Sequence, residues 1–158
     1  MTRVRMQTAA AVLVAAGTGV AIMAAAPASA KPAGQTISFT EHQISDHHFN
    51  LGSGHGIAVG AIELSADKLM RGSHQIGRDG TSCTITRLSA RSADDLCSDI
   101  LVLAHGQIDL AGLVTSTPHG PGTFQLAVTG GTGRYQRARG NATVVPSQNP
   151  KVTVHLTA

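Results

Sequence analysis

The feature that most constrains this chain is a period of two. From Ile37 to Leu156 the sequence is a succession of short alternating apolar and polar runs, broken roughly every 8 to 15 residues by Gly, Pro, Ser or Asn. Lys151-Val152-Thr153-Val154-His155-Leu156 shows the pattern most plainly, with Val152, Val154 and Leu156 on one face and Lys151, Thr153 and His155 on the other. No glycine-free window of helical length carries a sustained i, i+3, i+4, i+7 apolar face, so an all-β fold is expected. The runs predict strands over 36–44, 57–64, 72–78, 81–89, 97–105, 107–114, 123–129, 139–145 and 151–157, with Asp79-Gly80 as a hairpin turn and Thr117 to Gly122 as a longer loop. With no helix to cover a sheet face, closing eight or nine locally connected strands on themselves is the economical way to remove exposed edges. Periodicity alone leaves barrel and sandwich both open.

The first thirty residues are of a different kind. Arg3 and Arg5 precede an Ala-padded apolar stretch, Val12 to Met23, and Ala28-Ser29-Ala30 has the small-x-small form of a signal-peptidase site. The expected organisation is a signal peptide over 1–30, a flexible leader over 31–36 and one domain over 37–158, secreted to the extracellular side. A retained anchor is the competing reading, because Ala9 to Ala26 reaches spanning length, but its Ala and Gly content is weakly apolar. Without Arg3 and Arg5, ten of the twelve Lys and Arg stand against nine Asp and Glu, about +1. Such a surface, with no basic run, excludes phosphate-backbone recognition, so no nucleic-acid partner is expected, and no membrane once the signal is cleaved.

Export places Cys83 and Cys97 in an oxidising compartment, where two cysteines have one intramolecular pairing. A disulfide between them is expected to clip the polar segment Ser89 to Asp95 into a hairpin. Eight histidines raise the question of a metal, since His42, His47, His48 and His55 lie close to Asp46. Adjacent His47 and His48 would point to opposite faces of a strand, however, and neither a metal site nor a cofactor is expected. Gly52-Ser53-Gly54-His55-Gly56 has the look of a nucleophile elbow without the helix an elbow requires.

The most specific segment runs Phe124-Gln125-Leu126-Ala127-Val128-Thr129-Gly130-Gly131-Thr132-Gly133-Arg134-Tyr135-Gln136-Arg137-Ala138-Arg139-Gly140. It resembles the allene oxide cyclase and dirigent barrel superfamily, in which an apolar strand enters a Gly-Gly-Thr-Gly turn followed by an aromatic residue and an Ala-Arg-Gly element. Gly77-Arg78-Asp79-Gly80-Thr81-Ser82-Cys83 and His105 to Gly112 fit the same register upstream. The resemblance implies an eight-stranded antiparallel β-barrel, allene oxide cyclase-like and lipocalin-like, in which Tyr135 plugs one end. It also implies a secreted barrel that guides stereoselective cyclisation or coupling of an apolar metabolite, as an isomerase or a dirigent-like guide. A non-catalytic ligand-binding or structural barrel is the alternative. By alignment the polar groups of the cavity are Glu41, Asp67, where the plant cyclases have an amide, and Arg139 of the Ala-Arg-Gly element. Glu41 shares a face with Ile37 and Phe39, which places it either inside or at the rim. The expected partner is an apolar or amphipathic small molecule in a mainly aliphatic cavity carrying few charges, with Arg139, if inward, paired to Glu41, Asp67 or a carboxylate or phenolate of the ligand. A homo-oligomer is left open.

Overall fold

The computed structural model describes residues 34–50 and 57–157. The expected signal peptide, most of the leader, and the Gly52 to Gly56 segment with His55 lie outside the described residues. The strands are β1 (Gln35–Phe49), β2 (Ile62–Arg71), β3 (His74–Arg78), β4 (Thr81–Leu88), β5 (Ala93–Leu103), β6 (Gly106–Thr117), a two-residue β7 (Gly120–Pro121), β8 (Phe124–Gly131), β9 (Arg139–Val145) and β10 (Lys151–Thr157). All pairings are antiparallel. The ladder runs β1, β2, β3 with β4, β5, β6, β8, β9, β10 and back to β1, which closes an eight-stranded barrel in which β3 and β4 together fill one position. Among the described residues, no helix is long and apolar enough to cross a membrane.

The alternation read from the sequence sets the inner face. Val152, Val154 and Leu156 of β10 pack against Ile37 and Phe39 of β1, Ala142 and Val144 of β9, Leu126 and Val128 of β8, and Ile108 and Leu110 of β6. Leu69, Leu101, Ile108, Leu110, Val152 and Val154 are fully buried, each side chain contributing about 1.5–3 kcal/mol of apolar burial. The Gly-Gly-Thr-Gly turn leads into a single 3-10 turn, Gly133–Tyr135, which lays the buried Tyr135 across one end of this core. Glycine is required there: at Gly133, with φ +58°, a Cβ would stand 2.4 Å from the carbonyl oxygen of His105.

Two expectations are corrected. Asp79-Gly80 is not a hairpin. The chain turns at Gly72-Ser73 instead, with Gly72 at φ +60°, while Gly80 lies outside the left-handed region. β3 and β4 then run in one direction along both β2 and β5, joined through Asp79 and Gly80. The strand expected over 57–64 lies at Ile62–Arg71, and β1 continues to Phe49, well past 44. The extension of β1 works through a bulge at Gln43 to Ser45, where one extra residue switches the inward face from odd positions to even ones.

Cys83 and Cys97 are directly opposed on β4 and β5, with Cα atoms 4.1 Å apart, and are disulfide-bonded. The hairpin they clip turns at Ser89 to Ser92, where the Ser89 hydroxyl accepts the backbone N–H of Ser92 at 3.0 Å.

Candidate active site: a buried carboxyl cluster beneath an open cavity

Register assigns the inward side chains that form the site. On β1 these are Glu41 and, past the bulge, Asp46 and His48; on β2 they are Glu63, Ser65, Asp67 and Leu69. The β3–β4 position contributes Asp79, Thr81 and Cys83, and β5 contributes Asp95, Cys97, Asp99 and Leu101. The barrel wall is therefore divided. One side, β6, β8, β9, β10 and the start of β1, is aliphatic. The other side holds seven of the nine acidic residues of the chain, Glu41, Asp46, Glu63, Asp67, Asp79, Asp95 and Asp99.

Deepest among them are Glu41, Asp79 and Asp99, one carboxylate oxygen of each lying within 4.8 Å of the other two. Asp79 and Asp99 are almost wholly buried, at 3% and 5% exposure. Asp79 holds its place by a backbone substitution. Its own N–H donates to the Asp67 carbonyl at 3.1 Å, while Asp79 Oδ1 accepts the Asp67 N–H at 2.9 Å. That leaves Oδ2 of Asp79, together with Oδ1 of Asp99, buried and unpartnered among the described residues. Loss of water around the carboxyls, reinforced by their mutual repulsion, raises Glu41 from 4.5 to about 9, Asp79 from 3.8 to about 8 and Asp99 from 3.8 to about 7. Asp67, at the edge of the group, is also raised, chiefly by burial. A cluster of this kind keeps protons at neutral pH and can donate them.

Above the cluster lies a cavity of about 590 Å³ at the end of the barrel where β1 finishes and β2 begins. Phe49, Ile57, Ile85 and Leu88 form its apolar part, and His48, Glu63, Asp95 and Ser116 its polar part, with Cys83 low on the wall. Asp99 is the next inward residue below Cys97, and Thr81 and Asp79 follow below Cys83. At about 3.3 Å per residue, one inward step is about 7 Å, so the cluster begins one step beneath the disulfide. At the mouth, His48 stands between two carboxylates, with Nε2 3.3 Å from Asp46 and Nδ1 3.9 Å from Glu63. The donor atoms of this exposed trio also lie within 4.8 Å of one another.

The three residues named from the sequence separate. Glu41 and Asp67 come together at the cluster. Arg139 does not join them: it is exposed on the outer face at the far end of β9, opposite Thr157, and its guanidinium donates to the Ala138 carbonyl at 2.7 Å. Alternation explains this, because Gly140 takes the inward position opposite Val128 and its neighbour must face out. The expectation of an almost uncharged aliphatic interior is likewise corrected by the acidic half of the wall. Asp79 and Asp99 were missed by sequence reasoning. Asp79 was absorbed into a supposed turn, whereas Asp99 was detectable, since it shares the buried face of Cys97 and Leu101.

A closed antiparallel barrel with buried polar groups inside and a cavity at one end has the form in which small-molecule sites are commonly built. The chain belongs to the allene oxide cyclase barrel like domain family, whose model matches residues 33–156. Among solved structures, a protein named pyocyanin demethylase is 28% identical with a TM-score of 0.69, over 78% of this chain and 100% of that one. The Diels-Alderase AbmU from Streptomyces koyangensis is 15% identical with a TM-score of 0.62, over 80% and 70% of the two chains. A pterocarpan synthase dirigent protein is 14% identical with a TM-score of 0.60, over 78% and 82%. The last two likenesses establish the fold alone. Comparison with curated proteins gives no match.

Proposed function

We propose that this protein is an exported small-molecule enzyme that holds an unsaturated metabolite in its barrel and guides a cyclisation, coupling or related rearrangement by proton transfer from the buried carboxyl cluster. The observation that carries the reading is the Glu41, Asp79 and Asp99 group, one carboxyl oxygen of each within 4.8 Å of the others, buried in the barrel about one inward strand step, about 7 Å, beneath Cys83 in the wall of an accessible cavity. Confinement supplies orientation: a flexible molecule pressed against the aliphatic wall of β6, β8 and β10 has few conformations left, which selects one stereochemical outcome. The cluster supplies chemistry. Glu41, raised to about 9, is a neutral acid at pH 7 and can protonate or hydrogen-bond a developing oxyanion or enolate. Asp99, raised to about 7, is the member best matched to take a proton back, so the group can act as acid and base in one turnover. The likeness to a pyocyanin demethylase over that protein's whole length supports an enzyme rather than an inert barrel.

The test has two readouts. Difference infrared spectroscopy at pH 7 is expected to show protonated-carboxyl C=O absorbance that loses intensity in Glu41→Gln. Wild type is expected to convert pyocyanin, followed by absorbance, or to give an enantiomerically enriched cyclopentenone from an allene oxide generated in situ. Glu41→Gln is expected to lose at least tenfold in rate. Absence of the C=O absorbance together with no conversion of either compound above the buffer reaction overturns the reading.

A further inference from the structure

The same site points to the charge of what it binds. Between Glu63 at the mouth and Asp79 in the cluster, the inward positions of β1, β2, β4 and β5 hold Asp46, Glu63, Asp67, Asp79, Asp95 and Asp99, with Glu41 facing them, and no lysine or arginine among the described residues. Arg91, exposed in the turn at the rim, is the one permanent cation among the residues described as lining the cavity. A ligand carboxylate, phosphate or phenolate would have to be buried beside like charge with no cation to match it. The rim is of opposite character. Phe49, Ile57 and Leu88 line the cavity while keeping 49%, 67% and 42% of their surface exposed, an apolar area left open among the described residues.

We infer that the ligand is an amphipathic cation or nitrogen base, whose apolar body lies against Phe49, Ile57 and Leu88 and whose positive nitrogen is held by the carboxyls of Glu41, Asp67 and Asp99. The unpartnered Oδ1 of Asp99, a residue only 5% exposed, is the independent sign that something is to be received there: a buried carboxyl oxygen without a donor is costly, and a cationic N–H or N-alkyl group removes that cost. This rests on the reading of the barrel as a small-molecule enzyme and narrows its substrate class. Coupling to protons follows from the raised Glu41, Asp79 and Asp99. A cluster that holds protons when empty releases one when a positive charge takes its place, so cations bind more tightly as pH rises. The groups facing this cluster are Asp67 of β2 and Asp46 of β1, with His48, Glu63 and Asp95 further out. His48 protonation would repel a cation in the same direction, so a His48→Gln control separates the two.

The experiment is isothermal titration of the protein with three bicyclic probes of one shape: N-methylquinolinium, 1-methylnaphthalene and 1-naphthoate. N-methylquinolinium is expected to bind at least tenfold more tightly than the neutral probe, and naphthoate not at all. Its dissociation constant should fall by up to tenfold per pH unit between pH 6 and 8, in wild type and His48→Gln alike, with proton release seen as a buffer-dependent heat. Glu41→Gln, or Asp67→Asn if the first variant fails to fold, should weaken the cation at least tenfold and leave 1-methylnaphthalene unchanged. Equal binding of the cation and the neutral probe at every pH, or preference for naphthoate, overturns the inference while leaving acid catalysis intact. Conversely, loss of all conversion without loss of cation binding would refute the catalytic reading alone.

Discussion

Replacing Glu41 by glutamine should make the protein more stable at and above neutral pH, even as it removes a functional group. In the unfolded chain Glu41 ionises near 4.5, and in the folded chain its carboxyl is raised to about 9. Between those values the folded chain holds a proton that the unfolded chain has released, so stability falls as pH rises and is fully present only below about pH 4.5. At pH 7 the gap from 4.5 is 2.5 pH units, and at about 1.4 kcal/mol per unit the upper bound is about 3 kcal/mol. Proton sharing with Asp79 and Asp99, and the water that reaches the half-buried Glu41, lower the expectation to about 1–2 kcal/mol. Glutamine has nearly the same shape, cannot ionise and ends the repulsion with Asp79, Asp99 and Asp67. At about 4 °C per kcal/mol for a domain of this size, the variant should melt about 4–8 °C higher at pH 7. The gain should shrink toward zero at pH 4.5 and grow at pH 8. Thermal melts followed by circular dichroism from pH 4.5 to 9 measure this. A wild-type melting temperature independent of pH, or a Glu41→Gln variant less stable than wild type at pH 8, would refute the electrostatic account of the cluster.

Other substitutions test separate parts of the argument. Asp79→Asn keeps an acceptor for the Asp67 N–H now bonded at 2.9 Å, whereas Asp79→Ala leaves that donor without one; urea unfolding should find the alanine variant about 1–3 kcal/mol less stable than the asparagine variant. Gly140→Ala would force a Cβ to 1.9 Å from the His155 carbonyl oxygen at φ +140° and should prevent a soluble, cooperatively folding barrel, while Gly122→Ala, with nothing within 4 Å, should change stability by less than about 0.5 kcal/mol. Cys83→Ser with Cys97→Ser opens a loop with a sequence separation of 14 and should cost about 3 kcal/mol in denaturant unfolding. Thiol titration in denaturant should find two groups in the natural protein only after reduction.

What could be read from the sequence and what could not divides along one physical line. Alternation sets which side of a strand a residue faces, and wherever the ladder is regular, as through Val152, Val154 and Leu156, the inward face follows from counting by two. Counting fails where the register is interrupted. The bulge at Gln43 to Ser45 shifts the inward face of β1 by one residue and so brings Asp46 and His48 inside, and no local residue preference announces it. The same limit hid Asp79. An Asp-Gly pair between two apolar runs is a strong hairpin signal, but Asp79 supplies its side-chain oxygen to the ladder and the strand runs straight on. Arg139 failed differently. Family alignment carried its place in the motif without the parity that Gly140 imposes on it. Glu41 and Asp67 were found through the family resemblance, Asp67 lying outside every expected strand and opposite the bulge at Gln43, yet a pair of carboxylates two strand positions apart says little by itself. Their meaning comes from Asp79 and Asp99, which closure of the barrel places against them. The acidity of the interior is thus a property of topology: residues spread from position 41 to position 99 become one titrating group only when β1, β2, β4 and β5 stand side by side. For that reason the charge of the ligand, invisible in a composition close to neutral, becomes the most specific statement the structure supports.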